Sequence, residues 1–86
     1  MTVRLSRRAE RDRRGLPRSD LVRIRQALLD LDAGATNLDV KPLSGAAPWL
    51  RLRSGDCRIL YRPIDQGHLV ARVVNRRELV RAVEAL

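Results

Sequence analysis

The sequence predicts an α+β domain. It would hold a small antiparallel sheet of three or four strands, an N-terminal helical hairpin packed on one face, and a short C-terminal helix. Three patterns carry this reading. Leu21, Ile24, Leu28 and Leu31 recur at helical spacing. After Pro48 the apolar period shortens to two and holds through three successive runs. From Leu79 the helical spacing returns, in Leu79, Val80, Val83 and Leu86.

Taken in order, residues 2–5 alternate, with Val3 and Leu5 on one side, and predict a first strand. Ser6 stands where an N-cap belongs, ahead of a helix over residues 7–14 that Gly15-Leu16-Pro17 stops. That helix has little apolar surface beyond Ala9. Ser19 is the expected cap of the second helix, Ala27 widens its stripe, and Gly34 fits the position just past its end. Residues 35–48, with Asn37, Pro42, Ser44, Gly45 and Pro48, read as a loop. Residues 49–53, 57–62 and 69–74 read as strands joined by turns at Ser54-Gly55-Asp56 and Asp65-Gln66-Gly67-His68. A helix from Arg76 completes the order β-α-α-β-β-β-α. No repeat or linker interrupts it, so residues 1–86 are expected to form one domain.

Eighteen Lys+Arg against ten Asp+Glu give a net charge of +8, and Lys41 is the sole lysine. Hydrophobic residues make up 44% of the chain, which supports a core and excludes a disordered basic tail. Trp49 and Tyr61 are the only aromatics, too few for a binder that stacks bases on rows of rings. One cysteine, Cys57, and one histidine, His68, exclude an internal disulfide and a zinc site. No metal and no cofactor are expected. No apolar run is long enough to span a membrane, no secretory signal opens the chain, and a reducing, cytoplasmic setting is expected.

The strands carry the chemistry. A turn at Ser54-Gly55 sets Arg51 opposite Arg58; a turn at Gly55-Asp56 sets Arg53 there instead. Both place arginine against arginine on one face and apolar residues on the other. Like charges directly opposite cost up to about 1 kcal/mol. Only the turn residues Asp56 and Asp65 offer acids between Arg51 and Arg72. Such a face suits a phosphate-bearing ligand, and a plain solvated sheet face is the alternative. Arg62 shares the face, and Arg72 joins it if the second turn has three loop residues. Cys57 and Tyr61 alternate into the core, Trp49 reads as core or rim, and His68 as an exposed turn residue. There is no Gly-rich phosphate loop, no carboxylate pair at a useful spacing and no Ser/His/Asp set.

The run Arg51-Leu52-Arg53-Ser54-Gly55-Asp56-Cys57-Arg58-Ile59-Leu60-Tyr61, preceded by Leu43-Ser44-Gly45, resembles the core motif of the RelE/ParE superfamily of bacterial toxins. The tail Val73-Val74-Asn75-Arg76-Arg77-Glu78-Leu79 resembles its closing run, and Arg8-Ala9-Glu10-Arg11-Asp12 its first-helix motif. The resemblance implies a cytoplasmic bacterial toxin of a type II toxin–antitoxin system, neutralised by a RelB-like antitoxin. It further implies cleavage of ribosome-bound mRNA, with the ribose 2′-OH attacking the adjacent phosphate. Arg51, Arg58 and Arg76 match the family's catalytic cations. Lys41, Arg53, Arg62, Arg72 and Arg77 are expected to bind RNA around them.

Departures from the family pattern fall on proton transfer. The closing tyrosine is Val80, a basic position is Trp49, and the motif glycine and histidine are Val74 and Asn75. Lys41, His68 or Glu78 would have to move the protons, since arginine is a poor proton acceptor. Two other readings stay open: a ParE-like inhibitor of DNA gyrase, and a non-catalytic domain that binds RNA or its antitoxin.

Overall fold

The computed structural model describes residues 2–86. Along the chain run β1 (Thr2–Leu5), α1 (Arg7–Arg14), α2 (Arg18–Asp32), β2 (Val40–Pro42), β3 (Leu50–Ser54), β4 (Cys57–Ile64) and β5 (Gly67–Asn75). A 3₁₀ turn, Arg76–Glu78, then leads into α3 (Leu79–Glu84). The strands form one five-stranded sheet in the order β1-β5-β4-β3-β2, so the α+β class stands and the strand count rises.

Two expectations need correction. β2 lies inside the segment read as a loop. It has three residues and ends in Pro42, too short for a period to register, and a sheet edge is where proline is tolerated. The sheet is also mixed, because β1 pairs with β5 in parallel, Thr2 beside Gly67 through Leu5 beside Val70. That partner is more than sixty residues away, with no local turn to announce it. Gly67 permits the approach: a Cβ there would overlap the Thr2 backbone carbonyl.

The first hairpin adopts the Gly55-Asp56 turn, pairing Ser54 with Cys57 and Arg53 with Arg58. Gly55, at φ 59°, supplies the positive φ that a tight two-residue loop needs. The second hairpin turns on Asp65-Gln66 alone, with His68 already in β5 opposite Pro63. Pairing then slips between Leu60 and Tyr61, leaving Ala71 as a bulge and bringing Arg72 level with Leu60. The bulge therefore sets Arg72's phase in place of the three-residue loop.

Ser6 joins helix to sheet. Its Oγ accepts the Ala9 N–H (3.1 Å) as the N-cap and donates to the Ala71 carbonyl (2.9 Å) at the bulge. Pro17, not Ser19, occupies the N-cap of α2, because Ser19 already lies within the first turn. At its other end Gly34 takes φ 73°, with Gly34 N donating to Leu31 O and Ala35 N to Asp30 O, a Schellman closure.

Two cores form, one on each face. On the α1/α2 side Ala9, Ile24, Ala27 and Leu31 meet Leu52, Cys57, Ile59, Tyr61, Val70 and Val73. On the other face Leu60 and Val74 pack under Leu43 and Ala82, flanked by Ala46, Trp49, Leu79 and Val83. α3 thus uses Leu79, Ala82 and Val83 as its inner stripe, while Val80 and Leu86, expected there, are exposed. The 3₁₀ turn that precedes α3 rotates the stripe.

α1 has a single buried side chain, Ala9, and it depends on polar contacts. Asp12 Oδ2 accepts from Arg72 Nε (2.8 Å) and from the Val73 backbone N–H (3.0 Å), while Oδ1 accepts from Arg72 Nη2 (3.3 Å). Both side chains are mostly buried, at 13% and 15% exposure. Asp12→Ala should lower unfolding free energy by about 2–4 kcal/mol, because it strands a charge and a backbone donor together. Asp12→Asn, which keeps an acceptor, should lose less, and urea denaturation reads both. Cys57 is 1% exposed and burial pushes its thiol above the ordinary value. A disulfide reagent should therefore label it orders of magnitude more slowly in the folded protein than in urea.

Candidate functional site

The sheet face away from α1 and α2 collects the predicted cations in rows across the strands. Lys41, Arg51, Leu60 and Arg72 lie opposite one another on β2 to β5; Arg53, Arg58 and Val74 form the next row. Leu60 and Val74 are roofed by α3 and the Leu43–Trp49 segment, so the charges surround a small apolar patch. The expected all-charged face is corrected in this respect.

The rows do not present equal charge. Arg51 Nη1 donates to Asp39 at Oδ1 (3.2 Å) and at the backbone carbonyl (3.3 Å), and its side chain is only 15% exposed. Arg72 is held by Asp12 as described. Asp39 and Asp12 are the compensating acids that a search between Arg51 and Arg72 misses, because both come from segments earlier in the chain. Their signal in the sequence is slight: a lone acid just before β2, and one among the arginines of α1.

Arg53, Arg58 and Arg76 gather at the Gly55-Asp56 turn. Arg58 Nη1 donates to the Gly55 and Cys57 carbonyls, both at 3.0 Å, which fixes its guanidinium beside the turn. Arg76 N donates to the Asp56 carbonyl (2.8 Å), and its exposed side chain lies 4.0 Å from the Asp56 carboxylate. Arg53, opposite Arg58, is exposed and only 3.9 Å from Asp39. Sequence reasoning missed Arg23 of α2, whose Nη1 lies 2.7 Å from where a Gly55 Cβ would stand. Arg77 Nε reaches the Asn75 side chain at 3.4 Å, while the Asn75 Oδ1 also caps the 3₁₀ turn by accepting from Arg77 N.

Groups suited to proton transfer are spread apart. Lys41 stands opposite Arg51 and is exposed. Glu78 is exposed in the 3₁₀ turn beside Arg77. His68 belongs to the other side of the sheet, edge-on to Tyr61 at 5.6 Å between ring centroids. Burial raises the Tyr61 phenol above its ordinary value, so it is a core residue and stays neutral. Among the described residues no cluster of three His, Cys, Asp or Glu could hold a metal, and no helix is long and apolar enough to cross a membrane.

Away from this face a concavity of about 600 Å³ opens between α2 and β1. Val3, Leu5, Leu21, Ile24, Leu28 and Leu29 make its apolar lining, and Arg13, Arg14 and Arg25 line it too, against the single acid Asp32.

A family model described as the ParE toxin of type II toxin–antitoxin systems matches residues 3–80. No curated protein matches the chain significantly. Among solved structures, a chain of the toxin–antitoxin complex RelBE2 from Mycobacterium tuberculosis is 32% identical, with a TM-score of 0.76 over 87% of this chain and 96% of that one. A chain of the RelB–RelE antitoxin–toxin complex from Methanococcus jannaschii is 18% identical, with a TM-score of 0.78 over 92% and 96%. A chain of the Escherichia coli DinJ–YafQ complex is 15% identical, with a TM-score of 0.71 over 91% and 96%. The motif at Arg51–Tyr61, the sheet it builds and these matches agree: the chain belongs to the RelE/ParE superfamily of toxins of type II toxin–antitoxin systems.

Proposed function

We propose that this toxin binds ribosome-bound mRNA on its basic sheet face and cuts it by attack of a ribose 2′-oxygen on the adjacent phosphorus. The observation that carries the reading is the convergence of Arg53, Arg58 and Arg76 at one turn, where Arg58 has no carboxylate partner and the other two only long, exposed ion pairs of 3.9 and 4.0 Å. As the P–O5′ bond breaks, charge grows on the phosphate oxygens, and fixed guanidinium donors stabilise it more than the ground state. Arg58, held by two carbonyls, is already oriented for this. Arg51 takes the same part once the phosphate displaces Asp39. Glu78 is the acceptor for the 2′-hydroxyl proton and Lys41 the donor to the leaving 5′-oxygen, two groups that the fold holds apart and that the bound RNA has to bridge. The family model's ParE description favours a second reading, inhibition of DNA gyrase without RNA cleavage.

Cleavage of ribosome-bound mRNA by purified variants separates the two readings. Arg58→Ala and Arg76→Ala should each lose about 10²–10³-fold in rate, roughly 3–4 kcal/mol. Arg58→Lys should recover only part of the loss, since it keeps the charge without the planar fork. Equal rates in wild type and both alanine variants would reduce the face to a solvated surface. If wild type cuts nothing, and DNA replication stops before translation in cells expressing it, the gyrase reading takes over.

Solved structures like this chain come from toxin–antitoxin complexes, which supports an antitoxin partner here too. The groove between α2 and β1 suits an amphipathic segment of it, apolar below and acidic toward Arg14 and Arg25. Leu29→Asp should weaken antitoxin capture by about tenfold or more, while mRNA cleavage persists. An unchanged dissociation constant in titration calorimetry would place the antitoxin elsewhere.

A further inference from the structure

Arg62 stands apart from the other arginines of the basic face. Its guanidinium carbon lies 5.8 Å from the centroid of the Trp49 ring, over its face. No carboxylate or carbonyl holds it among the described residues, and its Nε is buried without a hydrogen-bond partner. Continuing the β3–β4 register one step past Leu50 and Tyr61 sets Trp49 opposite Arg62, on the same face as Arg58. Trp49 is itself fixed, packed against the second core, with Trp49 N donating to the Ala46 carbonyl (2.9 Å) and its carbonyl accepting from Leu43 N (3.0 Å).

A guanidinium above an indole ring is restrained there by the cation–π attraction. With Nε buried, its outer face and its terminal Nη donors are left for a ligand that offers a planar π-surface and an anion. Single-stranded nucleic acid offers both, since bases stack on guanidinium planes and phosphates accept from their edges. Arg62 lies four positions after Arg58 along β4, about 13 Å of strand, so a nucleotide at Arg62 would be a neighbour of the scissile one, not the same one.

We infer that Trp49 and Arg62 form a nucleotide subsite, in which the Trp49-backed guanidinium of Arg62 stacks on an RNA base and donates to its phosphate. The inference rests on the RNA reading above and adds to it a base-holding contact beyond the phosphate cradle. Trp49 acts through Arg62 as a positioning residue.

Trp49 is the chain's single tryptophan, so its fluorescence reports this place alone. The probe is a short 2′-O-methyl RNA, which cannot be cut, compared with an abasic strand of the same length and charge. Binding is followed independently by the anisotropy of a label on the strand. The base-bearing strand should quench or shift Trp49 emission and bind about 5- to 150-fold more tightly than the abasic one. Arg62→Ala should erase that difference. Arg62→Lys, which keeps charge without the plane, should also lose most of it, and Trp49→Leu should reduce it. Loss of base preference with an unchanged melting temperature separates this role from a structural one. Equal binding of both strands by wild type would overturn the subsite and leave the RNA reading intact. If neither strand binds a preparation that cleaves ribosome-bound mRNA, the subsite alone falls. If neither binds and nothing is cleaved, both fall.

Discussion

The contact on which the fold leans hardest is the carboxylate of Asp12. α1 carries eight residues and buries one small side chain, so hydrophobic burial contributes little to its placement. Asp12 supplies what burial does not. It reaches past the end of β1 to the Val73 N–H, a donor on the sheet's flank that would otherwise lack a partner, and takes the Arg72 guanidinium in two contacts. Ser6, at the other end of the same helix, bonds the bulge two residues earlier in β5. The helix is thereby attached by both ends to the strand next to β1, which seats Ala9 in the main core beside the α2 stripe.

The same contacts decide which charges remain for a ligand. Chain-wide, +8 suggests an undifferentiated cationic surface. In the fold, Asp12 absorbs Arg72 in a mostly buried pair that is costly to break, whereas Asp39, itself 46% exposed, holds Arg51 in a looser one. What is left is a field centred on the Gly55-Asp56 turn, in Arg53, Arg58 and Arg76 with Arg23 approaching from α2, together with Lys41 on β2, Arg77 in the 3₁₀ turn and Arg62 farther along β4. A turn is a sensible anchor for such a cluster, because its carbonyls can orient guanidinium groups without neutralising them.

Much of the architecture was legible in the sequence because it is local. The α2 stripe, the Ser6 cap, the Gly34 closure and the three long strands all rest on residues within a few positions of one another. The parallel pairing of β1, the three-residue β2 and the Ala71 bulge do not: each depends on a partner far along the chain or on a slip that alternation conceals. The site divides in the same way. Arg53 opposite Arg58 follows from counting through a hairpin, as one of two registers. That Arg51 and Arg72 are already paired does not follow, because Asp39 and Asp12 belong to other segments. His68 was misplaced for a related reason: a two-residue turn moved it from a loop into a strand, on the opposite side from the arginines.

The sheet's outer margins have a consequence for the toxin once it is free of any partner. An open five-stranded sheet has two borders with unpaired backbone groups, and such borders recruit strands from other copies. Here one border is three residues long, carries Lys41 and ends in Pro42, and the other is the four residues of β1. Neither gives an incoming copy of the same chain enough length for a stable ladder, and the shared positive charge keeps copies apart. The two edges thus work against strand-to-strand ladders between copies of this chain, which leaves the sheet's faces, not its borders, as the surfaces open to other molecules.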